Sequence, residues 1–363
     1  MKKLTMKKAT LQNFTNYGII LLFFLICGPL NDVGGFMTRS LEGQLVPICV
    51  YIVMAVSLNL VVGISGELSL GHAGFMSIGA FSGAVVAGVM QNAVQSEPLR
   101  LLVAVVVGAI LAAVFGFLIG IPVLRLRGDY LAIVTLAFGE IIKNIFNCLY
   151  VAYDSNGLQV AFLSSSDIHL EDTGRFLING PQGATGQDKT ATFFAGILLV
   201  MFTLVVVQNL IRSRTGRAIM AIRDNRIAAE ACGLNATRYK MIAFVIAAAL
   251  AGAAGALYGQ NFAAVTPSKF DFNTSILVLV FVVFGGMGNI TGSIVAAALL
   301  TVLPELLREF QDYRMLIYAI VLILVMIATN NPLIRGWIEQ AAAWVKKLFT
   351  KKSTEKEAGN DGI

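Results

Sequence analysis

Charge is scarce in this chain. Asp, Glu, Lys and Arg make up 13% of its 363 residues, about half the roughly 25% of an ordinary globular protein. Hydrophobic residues reach 57% and the mean hydropathy is +0.77. No water-soluble core of this size hides so much apolar surface, so the natural solvent is lipid. Cysteine is equally sparse. Cys27, Cys49, Cys148 and Cys232 show no close spacing, which excludes a disulfide scaffold. The two histidines, His72 and His169, fall far apart, so no histidine-based metal site is expected. Phosphate-binding loops are missing too. Gly183-Ala-Thr-Gly186-Gln-Asp-Lys189-Thr190 has a related composition, but Lys189 does not follow a glycine. Gly286-x-Gly288-x3-Gly292 misses the dinucleotide spacing. Nor does any nucleophile stand with a base, so no catalytic residue is assigned and the chain is not read as an enzyme.

What is present is a succession of apolar runs. A bilayer core needs about 20 mostly apolar residues per helix. Runs of this kind cover 14–30, 45–63, 71–90, 99–124, 130–150, 190–210, 241–258, 272–286, 290–307 and 315–329. The expectation is an all-α polytopic membrane protein of about ten spans. The first, eighth and tenth are short, and 285–292 reads either as a loop or as a break in a helix. Lysines ahead of the first run also describe a signal peptide, but no small-residue cleavage site follows Leu30, which favours a retained span.

The net charge of +6 sits in short clusters between the runs, which suits membrane orientation better than nucleic-acid binding. The amino-terminal segment 1–13 carries Lys2, Lys3, Lys7 and Lys8, and Arg125 and Arg127 follow the fourth run. Segment 212–240 has seven basic residues against Asp224 and Glu230, and the tail 333–363 is again basic. The long loop 151–189 is instead acidic, with five acids against Arg175 and Lys189. Ten spans place every basic segment on one side, with both termini cytoplasmic and loop 151–189 external. The domain expectation is therefore a membrane-spanning body 14–332 between two cytoplasmic ends.

Helices in lipid associate through small residues. Gly108, Ala112, Gly116 and Gly120 recur every four residues, as do Ala248, Gly252 and Ala256. These stripes speak for helix packing. Polar residues inside the runs are more informative, because ionisable groups at that depth face a partner or a wet cavity. Glu140, Lys143, Asn144 and Asn147 share one helical face. Either they line a solute path, or Glu140 and Lys143 pair while the amides hold neighbouring helices. Two glycine-rich junctions, 63–74 with His72 and 285–292 with Asn289, place irregular backbone near membrane depth, where it lines a cavity or is buried by protein. His72 beside glycines also suits a hydrogen-bonding spacer.

Segment 212–240 contains a short helix over about 226–232, capped by Asp224 or Asn225 and stopped by Gly233. Two turns are too few for stability alone. The helix therefore docks on another protein or rests on anionic headgroups.

Four stretches also carry a resemblance. Asn59-Leu-Val-Val-Gly-Ile-Ser-Gly-Glu-Leu-Ser-Leu-Gly-His-Ala-Gly-Phe75, Leu126-Arg-Gly-Asp-Tyr-Leu-Ala-Ile-Val-Thr-Leu-Ala-Phe-Gly-Glu140, Arg217 to Gly233, and Phe284-Gly-Gly-Met-Gly-Asn-Ile-Thr-Gly292 resemble the membrane-spanning permease subunits, LivM type, of bacterial ABC importers for branched-chain amino acids. The resemblance covers about 45–332. It implies an inner-membrane permease bundle, a second related permease subunit, two cytoplasmic ATPases that hold ATP and magnesium, and an external binding protein delivering leucine, isoleucine or valine. This chain itself would bind no cofactor or metal. The resemblance also makes Arg217, Arg223, Asp224, Asn225, Arg226, Ile227, Glu230 and Gly233 the loop that meets the ATPase. Glu140, Lys143, Asn144, Asn147, His72 and Asn289 are the candidate path residues. Urea and short-chain amide importers share parts of these motifs. Two further readings are an ion-coupled carrier using Glu140 and a membrane scaffold or sensor.

Overall fold

The computed structural model describes residues 16–25, 27, 39–91, 94–126, 128–154, 157–164, 168 and 174–307, with 313, 316, 317, 319, 320 and 323 in isolation. Segments 1–13 and 333–363, most of the tenth apolar run, Arg127, His169 and the acids Asp167, Glu171 and Asp172 lie outside the described residues. The chain divides into two compact units, 1–305 and 306–363. All elements below belong to the first, whose last helix runs to the boundary.

The helices are α1 (Asn16–Leu25), α2 (Arg39–Asn59, continued by one π turn, Leu60–Ile64), α3 (His72–Met90), α4 (Glu97–Val123) and α5 (Asp129–Asn147). They are followed by α6 (Phe193–Arg212), α7 (Arg214–Asp224), α8 (Arg226–Ala231), α9 (Ala236–Gly259), α10 (Phe272–Gly285) and α11 (Ile290–Leu306). Nine of the ten apolar runs thus hold a helix among the described residues. Among the described residues, six helices are long and apolar enough to cross a membrane: those at Leu41–Ile64, His72–Met90, Glu97–Val123, Tyr130–Asn147, Phe193–Arg212 and Ala236–Gly259. The helices α1, α10 and α11 are shorter.

Small residues decide the packing. α4 buries Ala104, Gly108, Ala112, Gly116 and Gly120 and exposes Leu102, Val106, Ile110 and Phe117 on its other side, the arrangement lipid on one face demands. Its small stripe meets that of α9. A Cβ added to Gly252 would lie 2.6 Å from the Gly108 carbonyl oxygen and would overlap Ala112. α3 closes the trio, with Gly83 so near Ala256 that a Cβ would sit 2.9 Å from that methyl. Where backbones touch, dispersion between many atoms replaces the missing hydrophobic drive. α2 lies innermost: 94% of its most apolar stretch is buried, against 22% for α4.

The all-α expectation needs correction in loop 151–189. Strands β1 (Leu149–Asp154), β2 (Gly157–Phe162) and β3 (Arg175–Asn179) form an antiparallel sheet in the order β2-β1-β3. Val151 stands opposite Val160 on one side and Ile178 on the other. A second pair joins β4 (Ala184–Thr185) to β5 (Ala264–Val265). The fifth run consequently stops being helical at Asn147, and Leu149-Tyr-Val-Ala-Tyr becomes a strand. Aromatic and β-branched residues suit a pleated, half-buried surface, and β2 alternates between half-buried and exposed positions. Segment 212–240 also holds more helix than its sequence suggests, because α7 precedes the expected short helix.

Candidate functional site

The two glycine junctions form a single seam. α2 ends in a fully buried π turn, and the chain then runs without helix to Gly71, where α3 starts. α10 ends at Gly285, turns through Gly286 (φ 85) and Gly288 (φ 84), and restarts as α11. The turn requires left-handed backbone that glycine adopts at no steric cost. Asn59, 1% exposed on α2, ties the junctions together. Its Oδ1 accepts from the Gly288 amide at 2.8 Å and its Nδ2 donates to Ser293 Oγ at 2.9 Å. Asn289 plays a local part: its Oδ1 accepts from Gly292 N at 3.3 Å, capping the start of α11. Beside it, Thr291 Oγ1 donates to Asn16 Oδ1 at 2.5 Å.

His72 begins α3 and is 2% exposed. Its Nε2 lies 2.8 Å from Ser57 Oγ. The Ser57 hydroxyl is committed to the Met54 carbonyl at 2.9 Å, so the imidazole is the donor in that pair. Two other helices hold the start of α3: Ala73 N in its first turn donates to Ser275 Oγ (3.2 Å), and Leu70 N just ahead of it to Thr135 Oγ1 (3.0 Å). His72 is thus enclosed at the start of α3 and held by Ser57.

Glu140 and Lys143 form an ion pair on α5, with side chains one-third and one-fifth exposed. Glu140 Oε1 also accepts from Phe272 N at 3.2 Å, at the amino end of α10. Carboxylates stabilise that end of a helix by complementing its dipole. Asp271 caps the same end, accepting from Thr274 N at 2.9 Å. Asn144 is exposed and Asn147 half-buried, so the four polar residues form a ledge that opens sideways from the bundle. The structure therefore divides the six path candidates among three places: the ledge, the buried start of α3 and the cap of α11.

Segment 212–240 folds as a chain of caps. Ser213, Asn225 and Asn235 accept from Gly216 N, Ala228 N and Arg238 N at 3.0–3.1 Å, starting α7, α8 and α9 in turn. Gly233, at φ 84, reverses the chain after α8. Ile222, Ala229 and Ala236 form a small core beneath, flanked by Leu234 and Tyr239. Arg226 Nε pairs with Glu230 Oε1 at 2.8 Å across one turn. Arg217 donates to its own neighbourhood, the Arg212 carbonyl, at 3.0 Å. Ile227 stands 82% exposed at the tip.

Arg223 departs from this outward-facing set. Its Nε and Nη2 hold Asp224 Oδ1 at 3.1 and 2.9 Å, while its Nη1 donates to the Gly63 carbonyl at 2.9 Å. Lys240 makes a second tie, an ion pair with Glu67 in which both side chains are largely buried. Asn59, Ser57, Ser275, Thr135 and Ser293 were not singled out as site residues from the sequence. Their signal was available, since each is a polar residue inside an apolar run.

Residues 40–326 match the family described as branched-chain amino acid transport system / permease component. The chain belongs to that family. The high-affinity branched-chain amino acid transport system permease protein LivM of Escherichia coli is 38% identical over 295 residues, covering 77% of this chain and 66% of the relative. LivM of Salmonella typhimurium is 37% identical over 294 residues with the same shares. LivH of Salmonella typhimurium is 24% identical over 280 residues, 76% of this chain and 88% of that protein. The permease thus spans just under two thirds of the length of the LivM relatives, and its likeness is to the LivM type. No solved structure matches it. Apolar helices and family together support a multi-pass membrane protein. At the end opposite the seam it also holds a cavity of about 160 Å³ lined by Arg100, Arg175, Gln187, Asp188 and Gln260. There the buried Arg100 donates to Asp188 at 3.3 Å and Arg175 to the Gly88 carbonyl at 2.6 Å.

Proposed function

We propose that this chain is the membrane-spanning permease subunit of an ATP-driven importer for leucine, isoleucine and valine. An external binding protein delivers the amino acid, a second related permease completes the pathway, and two ATPase subunits bind ATP and magnesium. Segment 212–240 and both termini face the cytoplasm in this reading, and 14–332 forms the transmembrane body.

The observation that carries it is the tip of α8. An exposed Ile227 on a helix held by two caps, an ion pair and a small core beneath is a rigid apolar knob awaiting a socket. Burying one such side chain contributes about 1.5–3 kcal/mol. Fully switching a two-state bundle takes about 5.5 kcal/mol of differential interaction. The second permease and the binding protein therefore share the work of alternating access. The sideways ledge of Glu140, Lys143 and Asn144 suits a wall facing the second permease, along which a zwitterion meets both signs of charge. An ion-coupled carrier built on Glu140 has less support, because that carboxylate already serves Lys143 and the α10 amide.

Reconstitution in proteoliposomes tests the reading. Leucine uptake is expected only with ATPases, binding protein and ATP present, and is expected to be competed by valine but not by urea or a sugar. Uptake by the isolated chain under an ion gradient would replace it with the carrier. Competition by urea would move the substrate to the amide class.

A further inference from the structure

We propose that Arg223 is a positioning residue that transmits movement of the α7–α8 segment to the seam between the two glycine junctions; this rests on the ATPase-docking reading of that segment. The Gly63 carbonyl lies in the last turn of a helix, where acceptors have no partner of their own. Arg223 Nη1 supplies one at 2.9 Å. The fit is specific on both sides. Gly66, at φ 73, leaves room for the arginine stem, since a Cβ there would lie 2.6 Å from Arg223 Cγ. The position a Cβ would take on Gly288 is 4.0 Å from Arg223 Nη1, so the guanidinium lies over the second junction as well.

The fork divides its donors. Two nitrogens hold Asp224 within the loop, and the third holds Gly63 in the bundle. Gly63 in turn abuts Gly288, whose amide is bound by Asn59. The loop is tied to the same stretch at its far end through Lys240 and Glu67. A shift of α7 and α8 therefore pulls on the backbone that closes the seam, without any side chain of the ledge having to move. Lysine cannot reproduce this, because a single ammonium does not span both acceptors in a fixed plane.

The test uses the full complex with ATPases and binding protein, carrying Arg223→Gln or Arg223→Lys. A reporter thiol, Ser65→Cys, is placed at the buried edge of the seam in a Cys232→Ser background. Wild type is expected to couple hydrolysis to uptake, and its reporter to react with maleimide at different rates with and without trapped nucleotide. In the complex that assembles, Arg223→Gln is expected to lose roughly tenfold in uptake per ATP hydrolysed, the scale of one hydrogen bond to a charged group, and to show a reporter indifferent to nucleotide. Arg223→Lys should fall between them, and it carries the test if the glutamine variant does not accumulate. Uptake per ATP equal to wild type, a reporter that still follows nucleotide, or loss of ATPase co-purification would each overturn the proposal. Absence of ATP-dependent uptake in wild type would instead sink the importer reading on which it stands.

Discussion

Gly63 and Gly288 lie backbone against backbone, 225 positions apart in sequence, and a Cβ on Gly63 would overlap the Gly288 amide nitrogen and lie 2.8 Å from its Cα. Asn59 fastens the pair by accepting from Gly288 N at 2.8 Å.

Asn59→Leu removes both hydrogen bonds and leaves the Gly288 amide and Ser293 hydroxyl without their partner. Loss of a buried partner costs about 1–3 kcal/mol. The thermal transition of the detergent-purified protein should fall, and Asn59→Ala should fall with it. An unchanged transition would mean that water replaces the amide.

Ile227→Asp should leave the fold intact, because the side chain touches little of its own protein. ATPase co-purification should drop at least tenfold while membrane insertion and thermal stability stay unchanged. Gly233→Leu should weaken docking as well, for a different reason: nothing crowds the site, but φ 84 costs a branched residue about 1–2 kcal/mol. Its thermal transition should therefore move, and that of Ile227→Asp should not.

Glu140→Gln retains an oxygen for the Phe272 amide but loses the ion pair with Lys143. Such half-exposed pairs contribute about 0–1 kcal/mol, so stability should hardly change. ATP-dependent uptake should fall if the ledge lines the path, with no change in its response to a proton gradient. Wild-type uptake would leave the ledge a purely structural contact.

Gly252→Leu should be the most damaging of these substitutions. Its side chain has to enter the space held by Gly108 and Ala112, and overpacking of this kind costs about 1–3 kcal/mol or more. Reduced accumulation in the membrane is expected, with Gly252→Ala intermediate. Normal levels of both would show that α4 and α9 can separate.

Local patterns were legible in the sequence. Four-residue spacing in Gly108–Gly120 and Ala248–Ala256 identified faces that do meet, and Asn225 with Gly233 marked the limits of α8, because caps and stripes are properties of a few neighbouring residues. Contacts between distant segments were not. Nothing in a one-dimensional pattern says that Gly63 will meet Gly288, or that Arg223, one arginine among several in a basic loop, turns inward. The sheet at β1–β3 was masked by apolar residues that extend the helical run past Asn147, a length at which helix and strand look alike. The six candidate path residues were grouped by polarity alone, and only Glu140, Lys143, Asn144 and Asn147 share a place.

The trio of α3, α4 and α9 meets largely through glycine backbones and alanine methyls, with Phe75 set edge-on against Phe244 beside them. Backbones this close leave no space for one of the three helices to slide past another without steric overlap. The stretches 65–71 and 286–289 carry no helical ladder, so a change of direction there costs fewer backbone hydrogen bonds than one inside the trio.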